Sequence, residues 1–279
     1  MKLLRFGPSG QERPGLLDAD GVIRDLSAVI GDLDPSTLTL DGLAALRALD
    51  PASLPAAPAD ARLGPCVAKP GKFVCIGLNY ADHAAESGLP IPEEPVVFMK
   101  ATSALSGPND PIIKPRGSTQ LDWEVELAFV VGAHVSYASE EEAARAIAGY
   151  CVCNDVSERA FQMQSSQWDK GKGCDSFGPL GPWLVTPDEI PDVHDLSMWL
   201  EVNGKRFQDG STRTMIFRPA FVLSYLSRFM SLQPGDVVTT GTPPGVGLGQ
   251  KPPLWLQVGD RVALGIQGLG EQRQVVVAA

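Results

Sequence analysis

Two glutamates alternate with large apolar residues along the run at positions 123–131. Alternation with a period of two predicts a β-strand, because successive side chains of a strand point to opposite faces of the sheet. Glu124 and Glu126 therefore share one face, and three large apolar side chains share the other. Two carboxylates so close repel each other unless a cation lies between them. From this pair alone, an acidic strand edge that faces solvent remains the simpler explanation.

A third carboxylate favours a metal site instead. Asp155 follows the run 150–154, which is too apolar for a surface strand, and a buried acid must be paired, protonated or bound to a metal. Three carboxylates without a paired histidine or cysteine indicate a hard ion, namely Mg²⁺ or Mn²⁺, with Ca²⁺ as a further candidate, and they disfavour zinc. Cys151 and Cys153 occupy alternate positions of the same run, and we interpret both as core residues.

The chain of 279 residues is long enough for a large domain with a small partner. Short strand and turn patterns predict a small, β-containing N-terminal domain over residues 1–65. Residues 50–70 are rich in proline and alanine and form the expected linker. Residues 71–279 then form the second domain, in which strand patterns predominate and helices are short.

Helices are predicted at three places in the chain. Ser139 followed three residues later by Glu142 is the signature of a capping box, and it predicts a helix to about Ala148. A second helix opens at residues 218–219, because proline is tolerated best in the first helical turn. A short helical segment is expected at residues 83–86.

The charge balance constrains the partners. Acidic residues outnumber basic ones by 33 to 23, which gives a net charge of −10 and disfavours nucleic acid or an anionic membrane as a partner. A small-molecule ligand is expected, and an anionic one would need a bound cation and one or two lysines. No apolar run approaches the roughly 18 residues that span a bilayer, and no signal-peptide pattern is present, so we expect a cytoplasmic protein.

Six short motifs follow one another between residues 77 and 243. They are GLNYADHAAE at 77–86, FMKA at 98–101, DWEVEL at 122–127, NDVSER at 154–159, KGCDSFGP at 172–179 and TGTP at 240–243. In this order they resemble the fumarylacetoacetate hydrolase family, over residues 71–279. The resemblance implies a mainly β fold with short helices, of the α+β class, with a rolled β core around the metal. It also implies a homodimer or larger homo-oligomer.

The resemblance assigns catalytic roles to several of these residues. The two glutamates and Asp155 would hold the metal, and Lys172 would be the catalytic lysine beside the third ligand. His83 would act as a general base for water, and Glu86, three residues later, can orient its imidazole. From the sequence alone, an exposed helix pair and a surface lysine remain the alternatives.

Substrate binding is expected from Lys100, Gly241 and Thr242. Lys100 belongs to the motif that resembles the entry strand of the site. Thr242 offers a hydroxyl and a backbone amide beside a glycine, as anion-binding turns do, although an ordinary turn is the alternative. The glycine-rich segment at 241–249 lacks the Gly-Lys-Ser/Thr ending of a phosphate loop, which argues against nucleotide binding.

The resemblance also implies an activity. The start MKLLRFGP and the stretch QWDKGKG at 167–173 are most similar to bacterial enzymes that hydrolyse 2,4-diketo-3-deoxy acids derived from L-rhamnonate or L-fuconate. The expected reaction is metal-dependent cleavage of the C3–C4 bond of a 2,4-dioxo acid, which yields pyruvate and a second carboxylic acid such as lactate. The alternatives are a 2-oxo acid decarboxylase or isomerase with the same site, and a metal-binding scaffold without activity.

Overall fold

A computed structural model describes residues 1–82 and 91–279, and strands dominate it. The expected mainly β, α+β class is confirmed. The strands are β1 (Lys2–Phe6), β2 (Arg13–Leu17), β3 (Ile23–Asp25), β4 (Leu63–Gly64), β5 (Phe73–Gly77), β6 (Val96–Met99), β7 (Leu105–Ser106), β8 (Ile112–Lys114), β9 (Leu121–Asp122), β10 (Val125–Val131), β11 (Ile147–Asn154), β12 (Ser157–Glu158), β13 (Gly178–Val185), β14 (Ser197–Val202), β15 (Lys205–Ser211), β16 (Val237–Thr239), β17 (Arg261–Ile266) and β18 (Gly270–Ala278). The α-helices are α1 (Leu40–Arg47), α2 (Glu140–Arg145), α3 (Arg159–Gln162), α4 (Asp169–Lys172) and α5 (Pro219–Leu226).

The strands form three sheets. An eleven-stranded sheet has the order β3-β2-β1-β13-β11-β10-β16-β5-β6, with β4 paired to β1 and β7 paired to β13. A five-stranded sheet has the order β15-β14-β17-β18-β8, and β12 pairs with β9 in a short ribbon. Most pairs are antiparallel, but β16 runs parallel to β5. The centre of the large sheet is therefore β11, β10 and β16.

Strand β10 is buried on both faces, which explains its nearly continuous apolar sequence. Leu127 and Phe129 pack in the same core as Leu200 and Leu264 of the five-stranded sheet. The opposite face packs in a second core, which includes Ala128 and both cysteines of β11. The interpretation of Cys151 and Cys153 as core residues is thus confirmed.

The N-terminal residues 1–65 add strands to the same sheet as the rest of the chain. Strand β1 pairs with β13 in antiparallel register, Lys2 opposite Val185. Leu33 and Leu43 join the second core beside Ala128. The two segments thus share a sheet and a core. The boundary near residue 71 stays a prediction.

The predicted helices at 139 and 219 are confirmed, with one difference in length. Ser139 and Glu142 form the expected capping box at the start of α2. This helix ends at Arg145, three residues earlier than predicted, since β11 begins at Ile147. The segment at 83–86 lies outside the described residues. None of the described helices has both the length and the apolarity needed to cross a bilayer.

Candidate metal centre

Three carboxylates converge at the end of the central strand pair. Glu126 lies in β10, Glu124 immediately precedes this strand, and Asp155 immediately follows β11. The two strands pair antiparallel, and the amide of Asp155 donates to the carbonyl of Glu124 at 2.9 Å. One oxygen from each carboxylate lies within 4.8 Å of the other two, and all three residues are buried. The sheet thus brings together the residues that the sequence predicted as a metal site.

Three buried cations, Lys100, Arg159 and Lys172, compensate part of this negative charge. The Nζ of Lys172 donates to Glu124 Oε2 at 2.7 Å and to Asp155 Oδ2 at 2.8 Å. The Nη2 of Arg159 donates to Glu124 Oε1 at 2.6 Å. The sequence predicted Lys172 at the site, and the structure places its ammonium between two of the predicted ligands.

The ionisation of the carboxylates follows from these contacts. Burial alone would raise the pKa of Glu124, but the charges of Arg159 and Lys172 lower it below its ordinary value. Burial raises the pKa of Glu126 well above its ordinary value, and the nearby carboxylates of Asp155 and Glu124 raise it further. Burial would lower the pKa of Lys172, but Asp155 and Glu124 raise it, so the lysine stays charged. Glu126 is therefore the carboxylate that most needs a further cation.

The donor set fits a hard divalent cation. Carboxylate oxygens are the ligands that Mg²⁺ and Mn²⁺ prefer. Asp155 Oδ1 is buried and accepts no hydrogen bond within the described residues, and it forms an ion pair with Lys100 Nζ at 2.6 Å. The backbone amide of Gly241 donates to Glu126 Oε2 at 2.9 Å and so fixes that side chain. We conclude that Glu124, Glu126 and Asp155 would hold the ion.

Lys100, which the sequence predicts to bind substrate, is not among the described residues that line the cavity above these carboxylates. Its side chain is buried behind Asp155, where Nζ donates to the carbonyls of Val156 and Lys172 at 3.0 and 2.6 Å. These bonds fix the backbone of Val156, which follows Asp155, and of Lys172. The geometry therefore makes Lys100 a positioning residue.

Gly241 and Thr242 both line the cavity, as the sequence predicted. Gly241 has a φ of +87°, and a Cβ there would lie 2.9 Å from the Cβ of Asn79, so the position requires glycine. The hydroxyl of Thr242 donates to the carbonyl of Val125 and accepts from Nε2 of Gln208, each at 2.8 Å. This hydroxyl thus ties the loop to β10, and its proton is not available to a ligand.

The sequence analysis quoted Asp122 and Arg159 inside two motifs but gave neither a role. Asp122 is fully buried and accepts from Nε of Arg159 at 2.8 Å, and also from the amides of Gly247 and Leu248 at 2.6 and 3.0 Å. It therefore connects the loop 247–251 to the arginine that holds Glu124. In the sequence, Asp122 is a charged residue directly before the apolar run 123–131, and this was the signal that could have indicated a role for it.

A cavity of about 530 Å³ opens above the carboxylates. Glu124, Glu126, Asp155, Arg159 and Lys172 form its charged end. The mouth includes Gln250 and Lys251. Its walls are mainly apolar and include Ile76, Leu78, Phe98, Trp168, Val246 and Leu248. A volume of this size suits a small organic ligand that is longer than pyruvate.

The predicted general base and its partner, His83 and Glu86, lie outside the described residues. Of the described histidines, neither His134 nor His194 lines the cavity. The assignment of His83 therefore stays a prediction from the sequence.

The sequence model of the family described as "Fumarylacetoacetate (FAA) hydrolase C-terminal" matches residues 72–277. A Burkholderia multivorans protein named "Putative hydrolase" is 61% identical over 281 residues, which cover 100% of both chains.

Solved structures with related sequences share the fold over the whole chain. Fumarylacetoacetate hydrolase from Exiguobacterium antarcticum is 35% identical with a TM-score of 0.88, and 100% of both chains is covered. Maleylpyruvate hydrolase from Sphingobium sp. SYK-6, solved with manganese(II) and pyruvate, is 29% identical with a TM-score of 0.84 and the same coverage. A 2-hydroxyhepta-2,4-diene-1,7-dioate isomerase from Mycobacterium marinum is 32% identical with a TM-score of 0.77, covering 100% of this chain and 98% of the other.

Proposed function

This chain belongs to the fumarylacetoacetate hydrolase family, and we propose that it is a metal-dependent hydrolase that cleaves the C3–C4 bond of a 2,4-dioxo acid. Water would be consumed, and the products would be pyruvate and a second carboxylic acid. The observation that carries the proposal is the cluster of Glu124, Glu126 and Asp155 with Lys172 at the closed end of a cavity with apolar walls. The cavity therefore has a charged end for the 2-oxo acid group and apolar walls for the remainder.

The chain's own residues suit this chemistry. A bound Mg²⁺ or Mn²⁺ would polarise the 2-oxo group as a Lewis acid. Lys172 keeps its proton and can stabilise negative charge that develops on a substrate oxygen beside the carboxylates. The apolar walls limit access of bulk water, which strengthens these electrostatic interactions. His83, oriented by Glu86, is the proposed base that takes a proton from the attacking water at the 4-oxo carbon.

The similarity to proteins of known name supports the proposal. The relative from Burkholderia multivorans is named as a hydrolase, and the maleylpyruvate hydrolase structure contains manganese and pyruvate. For the finer substrate, the sequence resemblance favours a 2,4-diketo-3-deoxy sugar acid, from which the second product would be lactate, whereas the presence of Lys251 in the cavity lining favours a dioic acid. A homodimer or larger homo-oligomer and a cytoplasmic location are further proposals from the sequence.

An isomerase or an oxaloacetate-type decarboxylase is the second candidate. The similarity to the isomerase from Mycobacterium marinum favours it, and neither reaction needs an attacking water. His83→Ala distinguishes the two classes. We expect this variant to lose hydrolysis of a dioxo acid and to retain any decarboxylation of oxaloacetate, whereas surviving hydrolysis would exclude His83 as the base.

A pyruvate-release assay tests the proposed function directly. Wild type and Glu124→Ala would be supplied with Mn²⁺ and a panel of 2,4-dioxo acids, a 2,4-diketo-3-deoxy sugar acid and oxaloacetate. We expect pyruvate from a dioxo acid with wild type and none with Glu124→Ala. Glu141→Ala is the matched control, because Glu141 is exposed on α2 and, among the described residues, pairs only with Arg145.

The other outcomes each exclude part of the proposal. Release of pyruvate from oxaloacetate alone would indicate a decarboxylase. Binding of Mn²⁺ by calorimetry without turnover of any 2-oxo acid would favour the metal-binding scaffold, and no binding of Mn²⁺ or Mg²⁺ would contradict the metal centre.

A further inference from the structure

Lys251 is the one charged residue at the mouth of the cavity in the described part of the chain. It is exposed, and within the described residues it forms no ion pair or hydrogen bond. The other charged residues of the lining, Glu124, Glu126, Asp155, Arg159 and Lys172, all lie at the buried end. An unpaired cation thus belongs to the exposed part of the cavity lining, away from the buried carboxylates.

The loop that carries Lys251 is held in place. The carboxylate of Asp122 accepts from the amides of Gly247 and Leu248, and the carbonyl of Gly247 accepts from the amide of Leu254 at 2.9 Å. The side chain of Gln250 donates to the carbonyl of Val246 at 3.2 Å. These bonds hold the backbone on both sides of Lys251, so the position of this residue at the mouth of the cavity is fixed.

The charges of the lining indicate what this cation would face. At the buried end, the four carboxylates of Asp122, Glu124, Glu126 and Asp155 meet three cations, Lys100, Arg159 and Lys172, so a divalent ion leaves one excess positive charge there. The carboxylate of a 2-oxo acid balances that charge. Lys251 adds a second positive charge at the mouth, and apolar walls separate the two ends. A ligand with one carboxylate at each end would therefore neutralise the whole lining.

We propose that Lys251 determines substrate specificity by pairing with a carboxylate at the distal end of the substrate, so that the preferred substrate is a dioic 2,4-dioxo acid. This inference rests on the proposed function, since it places the 2-oxo acid group at the metal end. It predicts that sugar acids, whose distal groups are uncharged hydroxyls, bind more weakly than dioic acids of similar length.

Binding of inert 2-oxo acids tests the proposal without turnover. Two pairs of probes differ only in the distal group: 2-oxoadipate with 2-oxohexanoate, and 2-oxopimelate with 2-oxoheptanoate. Titration calorimetry would use the Mn²⁺-loaded full chain. In at least one pair, we expect wild type to bind the dicarboxylate about two- to fivefold more tightly, as is typical of an exposed charge pair. Lys251→Met should lose this preference and bind the monocarboxylates as wild type does.

Lys205→Met is the matched control, because Lys205 is an exposed lysine that does not line the cavity. It should retain the wild-type preference. Equal binding of both members of every pair by wild type would overturn the proposal, and so would an equal loss of affinity for all four probes in Lys251→Met. If none of the four probes bound wild type, the proposed function would be overturned as well. The two outcomes above would overturn only the role of Lys251.

Discussion

The guanidinium of Arg159 donates a 2.6 Å hydrogen bond to Oε1 of Glu124, and both side chains are buried. The other oxygen of Glu124 accepts from Lys172, so this carboxylate is compensated on both sides. Glu126 accepts from the amide of Gly241 but has no ion pair among the described residues. The positive charges are therefore distributed unevenly over the three carboxylates, and among the described residues Glu126 is the least compensated of the three.

This unevenness predicts the effect of Glu126→Gln on metal binding. At about a hundred times its dissociation constant, Mn²⁺ should stabilise wild type by about 2.7 kcal/mol. For a chain of this size the shift in melting temperature would be roughly 5–10 °C. The variant should show no shift, because it loses the carboxylate that most needs the ion. Glu141→Gln, on the exposed face of α2, should keep the wild-type shift, and a full shift in Glu126→Gln would remove this residue from the ligand set.

Lys172→Met should lose activity and also respond more strongly to metal. Without the ammonium, Glu124 and Asp155 lose a buried partner, which destabilises the metal-free protein by about 3 kcal/mol. Mn²⁺ would replace part of the missing charge, so the metal-induced shift in melting temperature should exceed that of wild type. Differential scanning calorimetry with and without EDTA measures both. Lys170→Met, two residues earlier and exposed, should behave as wild type, and equal shifts in all three proteins would contradict the role of Lys172 in charge compensation.

Asp122→Asn should weaken the metal centre indirectly. The amide group cannot accept from Arg159 and from the loop amides at once, so the arginine loses its anchor and Glu124 loses its orientation. We expect a loss of about 3 kcal/mol in unfolding free energy and a weaker Mn²⁺ affinity in calorimetry. Asp209→Asn, at an exposed position of β15, should change neither. Loss of stability with an unchanged Mn²⁺ affinity would show that Asp122 stabilises the fold but does not affect the metal centre.

Gly77→Ala should affect the substrate and leave the metal centre intact. A Cβ at this position would lie 2.6 Å from the ring of Trp168, so the ring must move into the cavity or the backbone must shift. Crowding of this kind costs about 1–3 kcal/mol, and we expect the KM to rise by roughly tenfold with an unchanged Mn²⁺ affinity. Gly31→Ala is the control, because a Cβ there would meet no atom within 4 Å. A wild-type KM would show that Trp168 is not part of the substrate wall.

The metal ligands could be predicted from the sequence because each has a local signal. Glu124 and Glu126 stand out through strand alternation, and Asp155 stands out because a carboxylate after a buried strand needs a partner. The pairing of β10 with β11, which brings the three together, has no local signal, since strand pairing depends on the whole sheet. The order of the six motifs supplied this long-range information.

Other features could not be predicted because they depend on contacts between distant segments. Nothing in the sequence near Lys100 shows that its ammonium lies behind Asp155 and donates to two backbone carbonyls. The hydroxyl of Thr242 likewise depends on Gln208, which lies 34 residues away in the chain. The proline-rich stretch at 50–70 indicated a linker, whereas the shared sheet depends on the pairing of β1 with β13.

That pairing predicts that residues 66–279 do not fold as a stable unit. Removal of residues 1–65 would leave the β1-facing edge of β13 unpaired and would expose the core face that carries Cys151 and Leu184. Exposed strand edges and apolar faces promote aggregation, so we expect a protein that binds a hydrophobic dye and unfolds without a cooperative transition. The full chain should unfold cooperatively under the same conditions. A truncated protein with a cooperative transition and a wild-type response to Mn²⁺ would show instead that the catalytic segment folds independently, and that the N-terminal strands only extend a sheet that is already complete.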